Sequence, residues 1–148
     1  MSRFASMEQD INPQAIDSNS TTQQVPLGKI IRAEDKDTTA YGVGEFIYLK
    51  GVASTAVGSV VVYSSDDHST ALASANAVGP IATAMSACVA NEFGWYQISG
   101  KGVAKVKASF ADNGDVYLTS TAGSVDDADV ATTAAGEQFC ANTFGGIW

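Results

Sequence analysis

The chain has little of the chemistry that catalytic and metal sites commonly use. Its 148 residues include one histidine, His68, and two cysteines, Cys88 and Cys140, in no metal-ligand spacing. Buried free thiols are the favoured state of the cysteines, and a disulfide is the alternative. No nucleophile-elbow pattern such as Gly-x-Ser-x-Gly is present, so His68 is expected in a solvent-exposed turn. We therefore expect no enzyme activity, no cofactor and no metal site.

Positive charge is also scarce. The chain has 8 Lys and Arg against 16 Asp and Glu, a net charge of −8, and no basic residue after Lys107. Nucleic-acid binding needs a basic surface that displaces phosphate counterions, so this composition argues against it. The pairs Asp66-Asp67 and Asp126-Asp127 lack calcium-loop spacing and are expected in solvated turns. An acidic face that matches a basic partner is the alternative explanation of the charge excess.

Long apolar segments are missing as well. No stretch of about 18 apolar residues occurs, so no membrane-spanning helix is expected. The N-terminus has no apolar run after Arg3, so no signal peptide is expected and synthesis is expected in the cytoplasm.

What the chain does contain is a series of short β-rich segments. Of all residues 45% are hydrophobic, and 14 glycines stand at intervals that suit tight turns. This pattern predicts an all-β fold, a small β-barrel or β-sandwich of short antiparallel strands. For residues 81–90 a strand is favoured over a helical turn, residues 70–75 form a short strand or loop, and 103–107 pair with 95–99 as a hairpin. Further strands are predicted within 25–34, 38–52, 60–63, 116–119 and 138–143.

The first 24 residues have a different character. They are polar and show neither a helical nor an alternating apolar pattern, so residues 1–24 are predicted to be an extended N-terminal arm before a β domain at 25–148. A disordered tail is one interpretation. The alternative is an arm that orders on a partner, with apolar anchors at Phe4, Met7, Ile11 and Ile16.

Aromatic residues cluster in the stretch "FGWYQIS". Trp95 and Tyr96 are consecutive in a predicted strand and therefore point to opposite faces. One is expected in the core, and the other at the surface or against another chain, since interfaces favour Tyr and Trp. Phe144 and Trp148 near the C-terminus extend this set of candidate subunit-interface residues. A monomer with one core and one rim aromatic is the alternative.

Four segments combine glycine-bounded apolar strands, a small-residue strand and a late acidic turn. They are, in order, "VGSVVVYSSD", "AVGPIATAMSACV", "GWYQISGKGVAKV" and "GDVYLTSTAGSVDDA". Through these segments, residues 41–143 resemble the capsid decoration, or cement, proteins of tailed bacteriophages.

The resemblance implies a structural virion protein rather than an enzyme. Such a protein is made in the host cytoplasm and binds the outer surface of the capsid, often as a homotrimer. It spans joints between subunits of the major capsid protein and stabilises the head. The arm is then an additional contact, because an extended segment can add a strand to a neighbour's sheet edge. A head-fibre subunit or a receptor- or glycan-binding module of a virion is the alternative.

Overall fold

The computed structural model describes residues 4–6, 14–37, 40–110 and 115–127. Within these ranges the chain forms β-strands and no helix, so the predicted all-β class is confirmed. The strands are β1 (Phe4–Ser6), β2 (Asn19–Ser20), β3 (Ile30–Asp35), β4 (Val43–Lys50), β5 (Val60–Tyr63), β6 (Thr70–Leu72), β7 (Ile81–Ala84), β8 (Phe93–Ser99), β9 (Tyr117–Leu118) and β10 (Val125–Asp126).

One antiparallel sheet holds most of these strands. Its order is β1-β3-β4-β8-β7-β5-β6, β2 also pairs with β8, and β9 and β10 pair separately. The pairing of β4 with β8 sets Ile47 opposite Tyr96 and Tyr48 opposite Trp95. A parallel bridge between Lys50 and Ser69 brings the end of β4 beside the start of β6. The longest ladder therefore lies at the centre of the sheet.

Both faces of this central ladder are buried. We call the side that carries Tyr48 and Trp95 the Trp95 face, and the opposite side the Tyr96 face. On the Trp95 face the buried cluster is Ile16, Val25, Ile31, Ala33, Phe46, Tyr48 and Trp95. On the Tyr96 face it is Ile47, Leu49, Val61, Ala82, Ala84 and Tyr96.

The expectation that one of the two consecutive aromatics lies at the surface is therefore wrong. Trp95 is 1% exposed and Tyr96 is fully buried. Alternation does place them on opposite faces, as predicted, but packed side chains cover each face within this same chain. Neither ring is available to another molecule.

The short, continuous apolar run at Val60–Tyr63 predicts a strand with both faces covered, and the structure confirms this. Val61 belongs to the Tyr96 face, whereas Val60 packs into a third cluster with Ala73, Val116 and Val125. The third cluster joins the 116–125 region to the sheet, and Val60 N also donates to Gly123 O at 3.0 Å. A continuous β-branched run suits this two-sided burial.

The predicted arm ends earlier than residue 24, because residues from Gln14 onwards pack into the β domain. Ile16 is fully buried in the Trp95 face, so its predicted role as a partner anchor is replaced by a core role. Strand β2 pairs with β8 through Asn19–Gly94 and Ser20–Phe93. Even β1 pairs within the chain, with Phe4 opposite Asp35 in β3. One buried isoleucine carries no periodic pattern, which is why the sequence did not reveal this packing.

Two strand predictions fail for a common reason, namely that the edges of β8 are occupied. Strand β4 takes one edge, while β7 and β2 share the other, so residues 103–107 find no free edge and no hairpin forms. They run instead past Gly58 and Val125, where Lys105 N donates to Gly58 O at 2.7 Å. Likewise β7 ends at Ala84 rather than continuing to residue 90, because β2 takes over the same edge.

The remaining strand predictions have mixed outcomes. Strands β4, β6 and β9 fall within the predicted segments, whereas β3 extends one residue beyond the predicted 25–34, to Asp35. The strand predicted at 138–143 lies outside the described residues.

We predict that Ile16→Ala lowers the free energy of unfolding by about 3 kcal/mol, since it removes a fully buried side chain from the Trp95 face. The matched control is Ile30→Ala, because Ile30 is 50% exposed and its loss should cost about 1 kcal/mol or less. Urea denaturation followed by tryptophan fluorescence measures both. Equal losses for the two variants would show that residues 14–24 do not belong to the core.

Candidate functional site

Trp95 and Tyr48 hold the N-terminal segment in place through Gln14. Trp95 Nε1 donates to the Gln14 carbonyl oxygen at 3.0 Å, and the Tyr48 hydroxyl donates to Gln14 Oε1 at 2.5 Å. Gln14 Nε2 in turn donates to the carbonyl oxygens of Ser18 at 2.9 Å and Phe93 at 3.0 Å. The amide therefore has a partner for its acceptor and for both donors, as a buried glutamine requires. Trp95, from the aromatic stretch, therefore makes its hydrogen bond within the chain.

The other predicted site residues do not come together. Tyr96 lies on the opposite face from Trp95, where burial raises the pKa of its phenol. The backbone of Phe4 is in β1, at the edge of the sheet. Met7, Ile11, Phe144 and Trp148 lie outside the described residues. The described residues thus place Phe4 at a sheet edge and bury Ile16, Trp95 and Tyr96.

His68 is half-buried rather than exposed as predicted. Its ring packs on Gly28 so closely that a Cβ at residue 28 would overlap it. The neighbouring Asp67 does lie in an exposed turn, where Oδ1 accepts from Ser69 Oγ at 2.8 Å and Ser69 N at 3.1 Å. These hydrogen bonds lower the pKa of the Asp67 carboxyl. The His68 ring therefore packs against the backbone of Gly28, and the Asp67 carboxylate stabilises the turn through its hydrogen bonds with Ser69.

Among the described residues, no group of three or more His, Cys, Asp or Glu side chains is arranged to hold a metal ion. Nor do those residues include a helix long and apolar enough to cross a membrane.

A pocket of about 400 Å³ opens beside the end of β8. We call it the Gln97 pocket. It collects side chains from the N-terminal segment, the connection before β4, the loop before β5, the end of β7 and the turn after β8. The described residues that line it are Asp17, Asp37, Tyr41, Val57, Ala84, Met85, Gln97, Gly102 and Val103. Its size lies within the range of sites that bind small molecules or single side chains.

The pocket combines an acidic and an apolar wall. Asp17 and Asp37 are exposed carboxylates, and no basic side chain is present among its described lining residues. Val57 and Val103 are 58% and 45% exposed. Tyr41 and Met85 are half-buried and pack against the Trp95-face cluster. The pocket therefore joins exposed carboxylates to an apolar surface.

Gln97 forms the polar floor of the pocket. It is fully buried, and its Nε2 donates to the carbonyl oxygens of Ser99 and Lys101, each at 3.1 Å. Its Oε1 has no hydrogen-bond partner in the part of the chain that the structure describes. Gly102 lies directly against this oxygen, because a Cβ there would overlap it, and a Cβ on Gly44 would come within 2.9 Å of Nε2. The glycines leave room for the amide.

Comparison with protein-family models, with curated proteins and with solved structures found no match to this chain. The Gln97 pocket is therefore described from its lining residues alone. Sequence reasoning missed it because its walls come from five separate segments. The one available signal was Gln97 itself, a polar residue between Tyr96 and Ile98 in β8, on the same face as Trp95.

We predict that Gly102→Ala destabilises the protein by about 2 kcal/mol, because the added methyl group displaces the Gln97 amide from its two acceptors. In a Gln97→Ala background the same change should cost much less, since the overlap is gone. A double-mutant cycle on unfolding free energies measures this coupling. Additive effects would show that Gly102 and Gln97 do not depend on each other.

The Cys88 thiol should be unreactive in the native protein. It is free and 2% exposed, and burial raises its pKa, so little thiolate forms near neutral pH. In a Cys140→Ser variant, which leaves Cys88 as the single thiol, we expect no labelling by a chromogenic disulfide reagent at about pH 8 and full labelling in denaturant. Rapid native-state labelling would contradict the buried position.

Proposed function

We propose that this chain is a structural virion protein. In this role it is a cement subunit that binds the outside of a phage capsid across joints between major capsid protein subunits. The resemblance of residues 41–143 to decoration proteins suggests this role, and the all-β fold agrees with it. The observation that carries the proposal is the pairing of β1 with the edge of β3.

Strand β1 joins the sheet through only three backbone pairs, Phe4–Asp35, Ala5–Glu34 and Ser6–Ala33. Strand addition at an edge supplies affinity through main-chain hydrogen bonds and depends little on side-chain identity. The same short segment or the same β3 edge is therefore suited to pairing with a neighbouring molecule. Exchange of such a strand between copies is a low-cost route to a homo-oligomer, including the proposed trimer.

The surface also offers apolar contacts that do not involve the buried aromatics. The large hydrophobic side chains exposed among the described residues are Ile30, Val43, Val57, Val78, Val89, Val103 and Val106. Exposed single valines are ordinary, but Val57 and Val103 occur together on the Gln97 pocket. A capsid joint that covers this surface gains apolar burial, and many copies on one shell multiply a modest affinity for each site.

A second candidate function is a receptor- or glycan-binding module of a virion, such as a head-fibre base. The Gln97 pocket favours it, since Tyr41 and two carboxylates line a recess of a size suitable for a sugar. In this case the protein binds free glycan without a capsid.

The decisive experiment uses undecorated heads assembled from the major capsid protein encoded in the same genome. Purified protein is incubated with these heads and pelleted, and we expect saturable co-sedimentation at a fixed ratio to the capsid protein. Absence of binding, together with retention on a glycan array, would replace the cement role with the second function. Light scattering of the protein alone tests the trimer, and a monomer at high concentration would remove that part of the proposal.

A further inference from the structure

We infer that an open part of the large sheet binds the same part of a second copy of this chain. This part lies on the Tyr96 side of β3 and of the first half of β4, and we call it the β3–β4 face. Its side chains are those of Ile30, Arg32, Glu34, Val43 and Glu45. The inference does not rest on the proposed function, because it concerns contact between copies rather than contact with a capsid.

Alternation along the two strands places these five side chains on one face. Ile31 and Ala33 are buried in the Trp95-face cluster, so the residues that alternate with them in β3 point to the opposite side. Ile47 is buried on the Tyr96 face, and alternation puts Glu45 and Val43 on the same side of β4. The β3–β4 face therefore continues the Tyr96 face outwards from the centre of the sheet.

The pairing of β3 with β4 arranges this face in rows. The cross-strand pairs are, in order, Ile30–Ile47, Arg32–Glu45 and Glu34–Val43. The outer pair includes a carboxylate that already has a cation, since Glu34 forms an ion pair with Lys36. The middle pair of opposite charges therefore stands between two rows that each contain an apolar residue.

The β3–β4 face lies beyond the cover that the rest of the chain gives to the Tyr96 face. Ile47 is 4% exposed, whereas its cross-strand neighbour Ile30 is 50% exposed and Val43 is 38% exposed. Single exposed apolar residues are ordinary, but the solvated side of an antiparallel sheet usually alternates to polar residues. Here two exposed apolar side chains flank charged ones on the same face, and this combination is found at protein interaction surfaces.

The charges identify the occupant as a second copy. Arg32 is exposed and Glu45 is half-buried, and within the described residues neither side chain forms an ion pair or a hydrogen bond. A two-fold axis that runs parallel to the strands, between β3 and β4, sets Arg32 of each copy opposite Glu45 of the other copy. The face is therefore complementary to itself, and the same charge pair forms twice across the contact.

The same axis covers the apolar residues. Rotation about it exchanges β3 with β4 and keeps the position along the strands, so Ile30 of one copy lies over Ile47 of the other, and Val43 lies over Glu34. This is the aligned packing of two sheets about 10 Å apart. The face is smaller than the roughly 800 Å² per partner of a stable interface, so we expect a reversible contact with a Kd on the order of 0.1–1 mM.

Charge reversal followed by mixing tests the two-fold contact in the isolated full chain. Arg32→Glu and Glu45→Arg should each weaken self-association about ten-fold, because each turns two favourable charge pairs into repulsive ones. An equimolar mixture of the two variants should recover the association of the unchanged chain, since each variant then meets the opposite charge in the other. Sedimentation equilibrium up to about 1 mM protein covers the expected range of Kd.

The mixture separates this contact from an ion pair within one chain and from net charge. Each variant carries like charges at positions 32 and 45 of its own chain, so mixing cannot repair an internal pair. The net charge of −8 favours repulsion between copies, which Glu45→Arg would relieve, whereas the two-fold contact requires the same variant to weaken association. Lys105→Glu and Asp66→Arg are the matched controls, because they change the net charge equally at exposed positions outside the face and should alter association little.

A dilution series followed by NMR locates the contact. The backbone amide signals of Ile30, Arg32 and Val43 should shift with protein concentration, and signals outside the β3–β4 face should shift less. Absence of any rise in mass up to about 1 mM, a mixture that associates no better than either variant alone, or concentration-dependent shifts confined to another surface would each overturn the inference. If strand exchange also forms a trimer, the two-fold contact joins two trimers, and either single variant should halve the mass of that species.

Discussion

Strand β8 imposes the constraint on which the rest of the structure depends. Its consecutive aromatic residues, Trp95 and Tyr96, must both leave water, and a strand sends them to opposite faces. Other side chains of the chain therefore have to bury each face. Strands β4, β5 and β7 provide the Tyr96 face, while the Trp95 face is completed by Ile16 and Val25 from the N-terminal segment. Both edges of β8 are also paired, so no other segment can join it.

The Gln14 contacts explain why a short polar segment serves as a cover. An indole N–H and a phenol hydroxyl need acceptors once they are buried, and the sheet cannot provide them on that face. Gln14 supplies an acceptor to each and returns its own two donors to the carbonyls of Ser18 and Phe93. The hydrogen bonds of Gln14 thus help to position the apolar Ile16, two residues later in the sequence. The segment is held by directional bonds as much as by burial.

Because the large aromatics of the central ladder are used internally, the described surface presents smaller features. These are exposed valines, the edge where β1 pairs with β3, and the Gln97 pocket. Gln97 differs from Gln14 in one respect, since its donors are satisfied while its Oε1 is not. An incompletely satisfied buried amide costs stability, and such costs are commonly found at binding sites.

Local pattern determined the fold class and several of the strands. Alternation in Phe46, Ile47, Tyr48 and Leu49 predicts their two faces, and the β-branched run at Val60–Tyr63 predicts burial on both sides, because side-chain direction in a strand follows from sequence position alone. Tertiary structure alone decided what covers each face and which edges were free. The packing of Ile16, the failed hairpin at 103–107 and the assembly of the Gln97 pocket all depend on contacts between residues far apart in sequence, and no local period encodes such contacts.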